Sequence, residues 1–255
     1  MRAPNAGPYT LSGTNTWLIG EPAWVIDPGP ADPGHVERVV EAAERRGGLA
    51  GIALTHAHLD HAEAVPLLRE RFGVPVGAVG RRQSAVGRFE EPSVKGLSPD
   101  VELNDGDTFG PFAVVATPGH SPDHVTLLWG GVAFCGDTVL GEGSVFIPPG
   151  GGSLVAYLDS LRRLRALDLE ALCPGHGSVV WDPPRKLDEY LAHRLERERR
   201  LLEALARGLR SQDELLDDVW DDAPAVLRPA AALTLEAHLE KLEGEKRLPE
   251  GVERL

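Results

Sequence analysis

A chain of 255 residues, 42% apolar and 25% charged, has room for a sizeable core and excludes a disordered or fibrous protein. Its formal net charge of −13 gives no bulk attraction to nucleic acid or an anionic membrane, and no apolar run is long enough to span a bilayer. Cys135 and Cys173 cannot build a disulfide framework and the polar start MRAPNAGPYTLSG has no secretory-leader pattern, so a reducing, cytoplasmic setting is expected.

TWLIG and AWVID, within 16–27, read as a hairpin around Gly20-Glu21-Pro22. Residues 33–46 repeat apolar side chains at helical spacing (Val36, Val39, Val40, Ala43) until Gly47-Gly48 stops them. LAGIALTH reads as a buried strand, and 61–72 as a helix with Gly73 just past its end. A strand is expected over 112–117. Two more, over 125–129 and 132–135, pair across Gly130-Gly131. A Gly/Pro-rich loop over 141–152, an amphipathic helix over 154–167 and a short strand over 171–173 follow. This alternation predicts an α/β domain over residues 1–182. At Asp182-Pro183-Pro184 the pattern changes to helices over 185–207, 212–219 and 229–242, and 183–255 is expected to form a separate helical domain.

The stretch THAHLDHAEA places His56, His58, Asp60 and His61 within six residues, directly after a strand. Residues two apart on an extended segment face one side, so His56 and His58 can grip one ion. Asp60 and His61, at the turn into the next helix, can face a second. Packing three imidazoles together without a partner is costly. Three more ligand-type residues end strands in Gly/Pro turns: His120 in TPGHS, Asp137 in FCGDT and His176 in CPGHG. Strand ends on one edge of a sheet are where an α/β fold puts a site. Imidazole and carboxylate donors without cysteine suit zinc, with iron or manganese as alternatives. His124 reads either as a substrate-pocket residue or as a histidine satisfied at a strand start, and Glu142 as a cleft residue or a solvated loop residue. Arg81, Arg82 and Lys95 are candidates to contact an anionic leaving group, against a plain solvated face. Cys135 and Cys173 read as packing residues.

The set H-x-H-x-D-H, then His, Asp and His, resembles the metallo-β-lactamase superfamily. That resemblance implies a four-layer αββα sandwich. It implies one divalent ion on His56, His58 and His120, a second on Asp60, His61 and His176, Asp137 bridging both, and Asp27 of VIDPG supporting them from behind. It further implies hydrolysis of an ester-type bond by an activated water, with Asp60 as the catalytic group that orients it. GTNTWLIG, FCGDTVLGEGSVF and ALCPGHGSVV are similar to the β-lactamase-like protein 2 group. The run from SQDELLDDVW to RPAAALTLEAHLEKLEGEKRL resembles that group's C-terminal winged helix, and a more distant likeness is to glyoxalase II. The implied substrates are single-stranded RNA or a thioester, with hydroxyacylglutathione or another acyl ester as the alternative. A non-catalytic binding module is the remaining reading, and the complete set of seven ligands speaks against it. Residues 183–255 carry 13 basic and 17 acidic side chains, a poor footprint for duplex DNA. Packing against the catalytic domain, walling the metal cleft or self-association is expected of them instead.

Overall fold

Two five-stranded sheets face each other in the computed structural model of the protein, which describes residues 1–80, 98–149 and 151–255. The first has the order β1 (Trp17–Ile19), β2 (Ala23–Ile26), β3 (Leu49–Ala53), β4 (Val76–Ala78) and β5 (Val101–Glu102). Here β1 and β2 are antiparallel and the other pairs parallel. From its other edge inward, the second sheet runs β6 (Thr108–Phe109), β7 (Phe112–Ala116), β8 (Val125–Trp129), β9 (Val132–Gly136) and β10 (Ala171–Pro174), with only β9 and β10 parallel.

Alternation along each strand decides which layer a side chain joins. On β9, Phe134 points inward to Ile26, Ala53, Phe112 and Leu127, while Ala133 and Cys135 point outward. The inner layer is closed by aromatic contacts, Trp24 to Phe109 at 5.1 Å and Trp17 to Phe134 at 5.9 Å. Outside the first sheet lie α1 (Pro33–Glu44) and α3 (Val65–Phe72), which bury Val39, Ala43, Val65 and Leu68 against Val25, Ile52 and Val76. Outside the second lie α4 (Leu154–Arg165) and the first half of α5 (Pro183–Ala206), burying Leu158, Leu161, Leu187 and Tyr190 against Cys135 and Leu172. Each such aliphatic or aromatic side chain contributes about 1.5–3 kcal/mol by leaving water. The result is the expected αββα sandwich. Cys135 packs in the layer under α4 and α5 and Cys173 in the layer between the sheets, as anticipated.

Three differences from the expected elements have physical causes. The helix expected over 61–72 is broken into α2 (Leu59–Ala62) and α3, because Pro66 in the first turn of α3 has no N–H to continue an earlier helix. The short strands β4, β5 and β6 give too few alternations to register as a pattern. The third difference lies in the C-terminal unit, where α5 is followed by α6 (Gln212–Val219), a 3-10 turn at Ala225–Leu227 and α7 (Arg228–Gly244). Among the described residues no strand follows Pro183, so the unit is helical, as expected, and shows no β-wing. The tail is instead tied back onto the helices: Arg254 bonds Glu236 and Glu243, and Glu253 accepts from the Gln212 amide.

The unit has its own core, with Leu201, Leu205, Leu215, Val219, Leu235, Leu239 and Leu242. Leu187 and Tyr190 of α5 and Ala237 of α7 nevertheless belong to the sandwich core. Thus α5 spans both regions rather than beginning a detached one. Among the described residues no helix is long and apolar enough to cross a membrane.

Candidate metal centre

The six residues from His56 to His61 leave β3 and turn into α2, and Asp27 at the end of β2 determines how. Its carboxylate accepts from the Thr55 amide (2.8 Å), the Thr55 hydroxyl (2.7 Å) and His61 Nδ1 (3.0 Å). Asp27 itself has a φ of +49°, a conformation that short polar residues tolerate better than most. Because a carboxylate only accepts, His61 carries its proton on Nδ1 and directs Nε2 into the centre. Asp123 accepts from the Ala57 amide at 3.0 Å and holds the same turn from the second sheet.

The loops after β7, β9 and β10 bring His120, Asp137 and His176 to the same point. His120 Nδ1 lies 3.2 Å from the Phe146 carbonyl, which leaves Nε2 for the centre. The amide of Asn15 donates to Gly175 O at 2.7 Å, and its side chain to Pro174 O and Gly177 O at 3.1 and 2.8 Å, clamping the turn that carries His176. Two glycines permit the approach. A Cβ at Gly175 would stand 2.4 Å from Asp137 Oδ1, and one at Gly136, whose φ is +43°, 2.4 Å from the Thr55 hydroxyl.

The donor atoms group as His56, His58 and His120, as Asp60, His61 and His176, and as His56, His61 and Asp137, the last set linking the other two. In the first, His58 Nδ1 is 3.0 Å from His56 Nε2 and 3.2 Å from His120 Nε2. In the second, Asp60 Oδ2 is 3.5 Å from His61 Nε2 and 3.2 Å from His176 Nε2. Asp137 stands between them, 3.8 Å from His120 Nε2, 3.5 Å from His61 Nε2 and 3.4 Å from His176 Nε2. Donors held at zinc-ligand distance in a tetrahedron are about 3.4 Å from one another, so the spacing fits a small divalent cation in each triad. The buried His61 Nε2 and Asp137 Oδ1 have no hydrogen-bond partner, a deficit that a cation would meet.

Electrostatics point the same way. Burial pushes the Asp60 carboxyl up, but His61 and His176 outweigh it and bring it down to about 2. Burial lowers His61 and His176, yet Asp60 and Asp137 raise them to about 9 and about 10. Without a metal, protons satisfy the carboxylates here. A bound cation would displace them. His56 is held well below its ordinary value by burial and by the neighbouring His61 and His58.

The seven residues singled out for metal binding are thus brought together, and Asp27 lies behind them. His124 is not in an open cleft. It is 1% exposed and sits behind the donors, its Nε2 accepting from the Asp137 amide at 3.1 Å and its Nδ1 lying 2.9 Å from the Thr117 hydroxyl. The substrate-pocket reading is corrected to a role in positioning Asp137. Glu142 is exposed on the loop after β9 and belongs to neither triad. Arg81, Arg82 and Lys95 lie outside the described residues. Sequence reasoning missed Thr14, whose hydroxyl donates to Asp60 Oδ2 at 3.1 Å, and Asn15, although both stand in the quoted GTNTWLIG. Along the same loop as Glu142, a cavity of about 390 Å³ opens between Gly143-Ser144, α5 and Asp222–Pro224, with Tyr190, His193 and Arg197 in its wall.

An αββα sandwich that gathers histidines and aspartates at the strand ends of both sheets defines a metal-dependent hydrolase. The chain belongs to the metallo-beta-lactamase superfamily, whose family model matches residues 9–176. It is 32% identical to a beta-lactamase-like protein 2 homolog of Drosophila melanogaster, over 96% of this chain and 87% of that one. It is also 32% identical to an atrochrysone carboxyl ACP thioesterase of Aspergillus fumigatus, over 87% of this chain and 72% of that one. Among solved structures, a beta-lactamase domain protein from Burkholderia ambifaria shares the fold with a TM-score of 0.79 at 20% identity, covering 99% of this chain and 88% of that one.

Proposed function

We propose that the protein hydrolyses an acyl thioester at a dinuclear centre, with zinc the first candidate metal and iron or manganese the alternatives. His56, His58 and His120 would hold one ion, Asp60, His61 and His176 the other, and Asp137 would serve both. When bound, two such ions polarise the carbonyl under attack and bring the pKa of a shared water toward neutrality. The protein's part is preorganisation. Asp27, the Phe146 carbonyl and the Asn15 clamp hold His61, His120 and the His176 turn before anything binds. Asp60 is the catalytic group of this reading. Its carboxylate is ionised, its side chain is 30% exposed, and the Thr14 hydroxyl fixes Oδ2. It is placed to accept a hydrogen bond from the attacking water. Tyr9 and Phe146, with ring centroids 5.3 Å apart, supply an apolar surface beside His120 for an acyl chain. The cavity beside α5 offers room for the thiol-bearing arm.

The observation that favours an acyl substrate over single-stranded RNA is the fate of the C-terminal cations. Arg197, Arg200, Arg228, Lys241, Arg247 and Arg254 each face a carboxylate within 3.3 Å. That pairing leaves little positive potential to follow a phosphate backbone. The relative named as a thioesterase supports the same choice. The test compares thiol release from an acyl thioester with cleavage of a single-stranded RNA by the same zinc-loaded preparation. Thioester turnover that is lost in Asp60→Ala is expected. A higher kcat/KM on RNA, with no thiol release, would overturn the reading.

A further inference from the structure

We infer that Arg194, on the second turn-pair of α5 and remote in sequence from every donor of the centre, is a positioning residue for His120. The inference rests on reading His56, His58 and His120 as a cation site.

The segment from Thr138 to Phe146 connects two members of the centre. It leaves Asp137 at one end, and at the other it supplies the carbonyl that accepts from His120 Nδ1 at 3.2 Å. Its sequence, TVLGEGSVF, contains two glycines, and Glu142, Gly143 and Ser144 are exposed, so it has little stiffness of its own. Side chains from the outer helix layer restrain it. Tyr157 of α4 donates its hydroxyl to Thr138 O at 2.7 Å, and Tyr190 of α5 accepts from the Leu140 amide at 3.0 Å. Nearest to His120, the Arg194 guanidinium donates through Nη2 to the Val145 carbonyl, one residue before Phe146. Arg194 is 2% exposed, and its guanidinium carbon lies 5.4 Å from the centroid of the Tyr157 ring.

A buried guanidinium is costly unless its N–H groups have acceptors. No carboxylate is paired with Arg194 among the described residues, and the acceptor that its Nη2 finds is the Val145 carbonyl. A structural cation in a helical unit would be expected to resemble its neighbours: Arg197 and Arg200, on the same helix, bond Asp222 and Asp221. Arg194 instead reaches out of that unit to the carbonyl that precedes the His120 acceptor. Holding Val145 O fixes the orientation of the adjacent Phe146 peptide. Phe146 O then keeps the proton of His120 on Nδ1 and its Nε2 toward His58. Groups that orient a metal-binding histidine from behind are typically worth about 10–100-fold in metal affinity.

The test is a zinc titration of the metal-free full-length protein and of Arg194→Met, which keeps the bulk and removes the donors, with Arg194→Lys as the conservative variant. Arg194→Met should weaken one of two zinc equivalents by about 10–100-fold and leave the other within about threefold. Arg194→Lys, which retains a donor for Val145 O, should recover most of the loss. Equal weakening of both equivalents, or no change in a folded Arg194→Met, would overturn the inference. A wild type that binds no zinc would sink the cation-site reading itself, whereas two tight equivalents unchanged in Arg194→Met would sink only the role of Arg194. Should Arg194→Met fail to fold, the tautomer of His120 in the metal-free wild type, read from nitrogen-proton correlations, decides. A proton on Nδ1 is expected, and a proton on Nε2 would overturn the inference.

Discussion

Two regions of the molecule bury charged groups, and they resolve the cost in opposite ways. In the C-terminal unit, Glu198 is 8% exposed and lies 2.7 Å from Lys241 and 3.3 Å from Arg247, while Arg197, 7% exposed, meets Asp222 at 2.5 Å. Each of these buried charges faces one of opposite sign. At the strand ends of the sandwich, four histidines and Asp137 are equally deep, but there metal-ligand types converge on one another. The first arrangement carries its own counter-charges. The second is complete only with something positive added. A closed network stabilises a fold, and an unclosed one at the same depth marks a site.

The sharpest way to break this contrast is at Asp60. Asp60→Ala should lower hydrolysis by at least about 100-fold while the circular dichroism spectrum stays native, because the residue serves the centre and not the core. A loss of fold with the activity would show that the cluster is structural. His124→Ala comes next. It removes the acceptor of the Asp137 amide, so zinc affinity should fall by about 10-fold or more, whereas KM for substrate should change little once zinc saturates. A large KM effect at saturating zinc would return His124 to the substrate pocket.

Glu198→Ala probes the other side of the contrast. Lys241 keeps Glu245 at 2.7 Å but loses its buried partner, and unfolding free energy should drop by about 2 kcal/mol in denaturant titrations. Both zinc equivalents should bind as before. An effect of similar size concerns pH. Burial, followed by Arg194 and Lys241, lowers His238 well below its ordinary value, and burial with Arg194 and Arg197 lowers His193 to about 4. A histidine whose folded pKa is depressed takes its proton more readily when unfolded. Its contribution to stability is therefore whole above about pH 6.5 and is lost as pH falls toward the folded value. His238→Leu should lose up to about 2 kcal/mol less stability than wild type between pH 7 and pH 5. An identical loss in both proteins would mean that His238 is protonated in the fold.

The sequence by itself determined the donors and their strand ends. Histidine and aspartate carry chemistry that few residue types share. His56, His58, Asp60 and His61 are close enough in the chain to announce a site, and glycine-proline turns mark His120, Asp137 and His176 as loop residues after strands. Hydrophobic periodicity likewise carried the sandwich, because β9 and the long helices supply enough repeats to show a period. Only the tertiary structure decided which groups hold those donors in place. Phe146 and Val145 act through carbonyls, which every residue possesses, so nothing in their side chains could signal it. Thr14, Asn15 and Arg194 are ordinary polar residues until the fold sets them against Asp60, the His176 turn and the loop after β9. His124 has the same type and nearly the same position in the chain as a ligand. Its single-digit exposure and its bond to the Asp137 amide, both products of strands meeting across the sheet, make it a support. The C-terminal run shows its helices by period, but whether the residues after α7 form a wing depends on long-range pairing. Arg254 and Glu253, bonded back to α7 and α6, settle that question through contacts that no local pattern encodes.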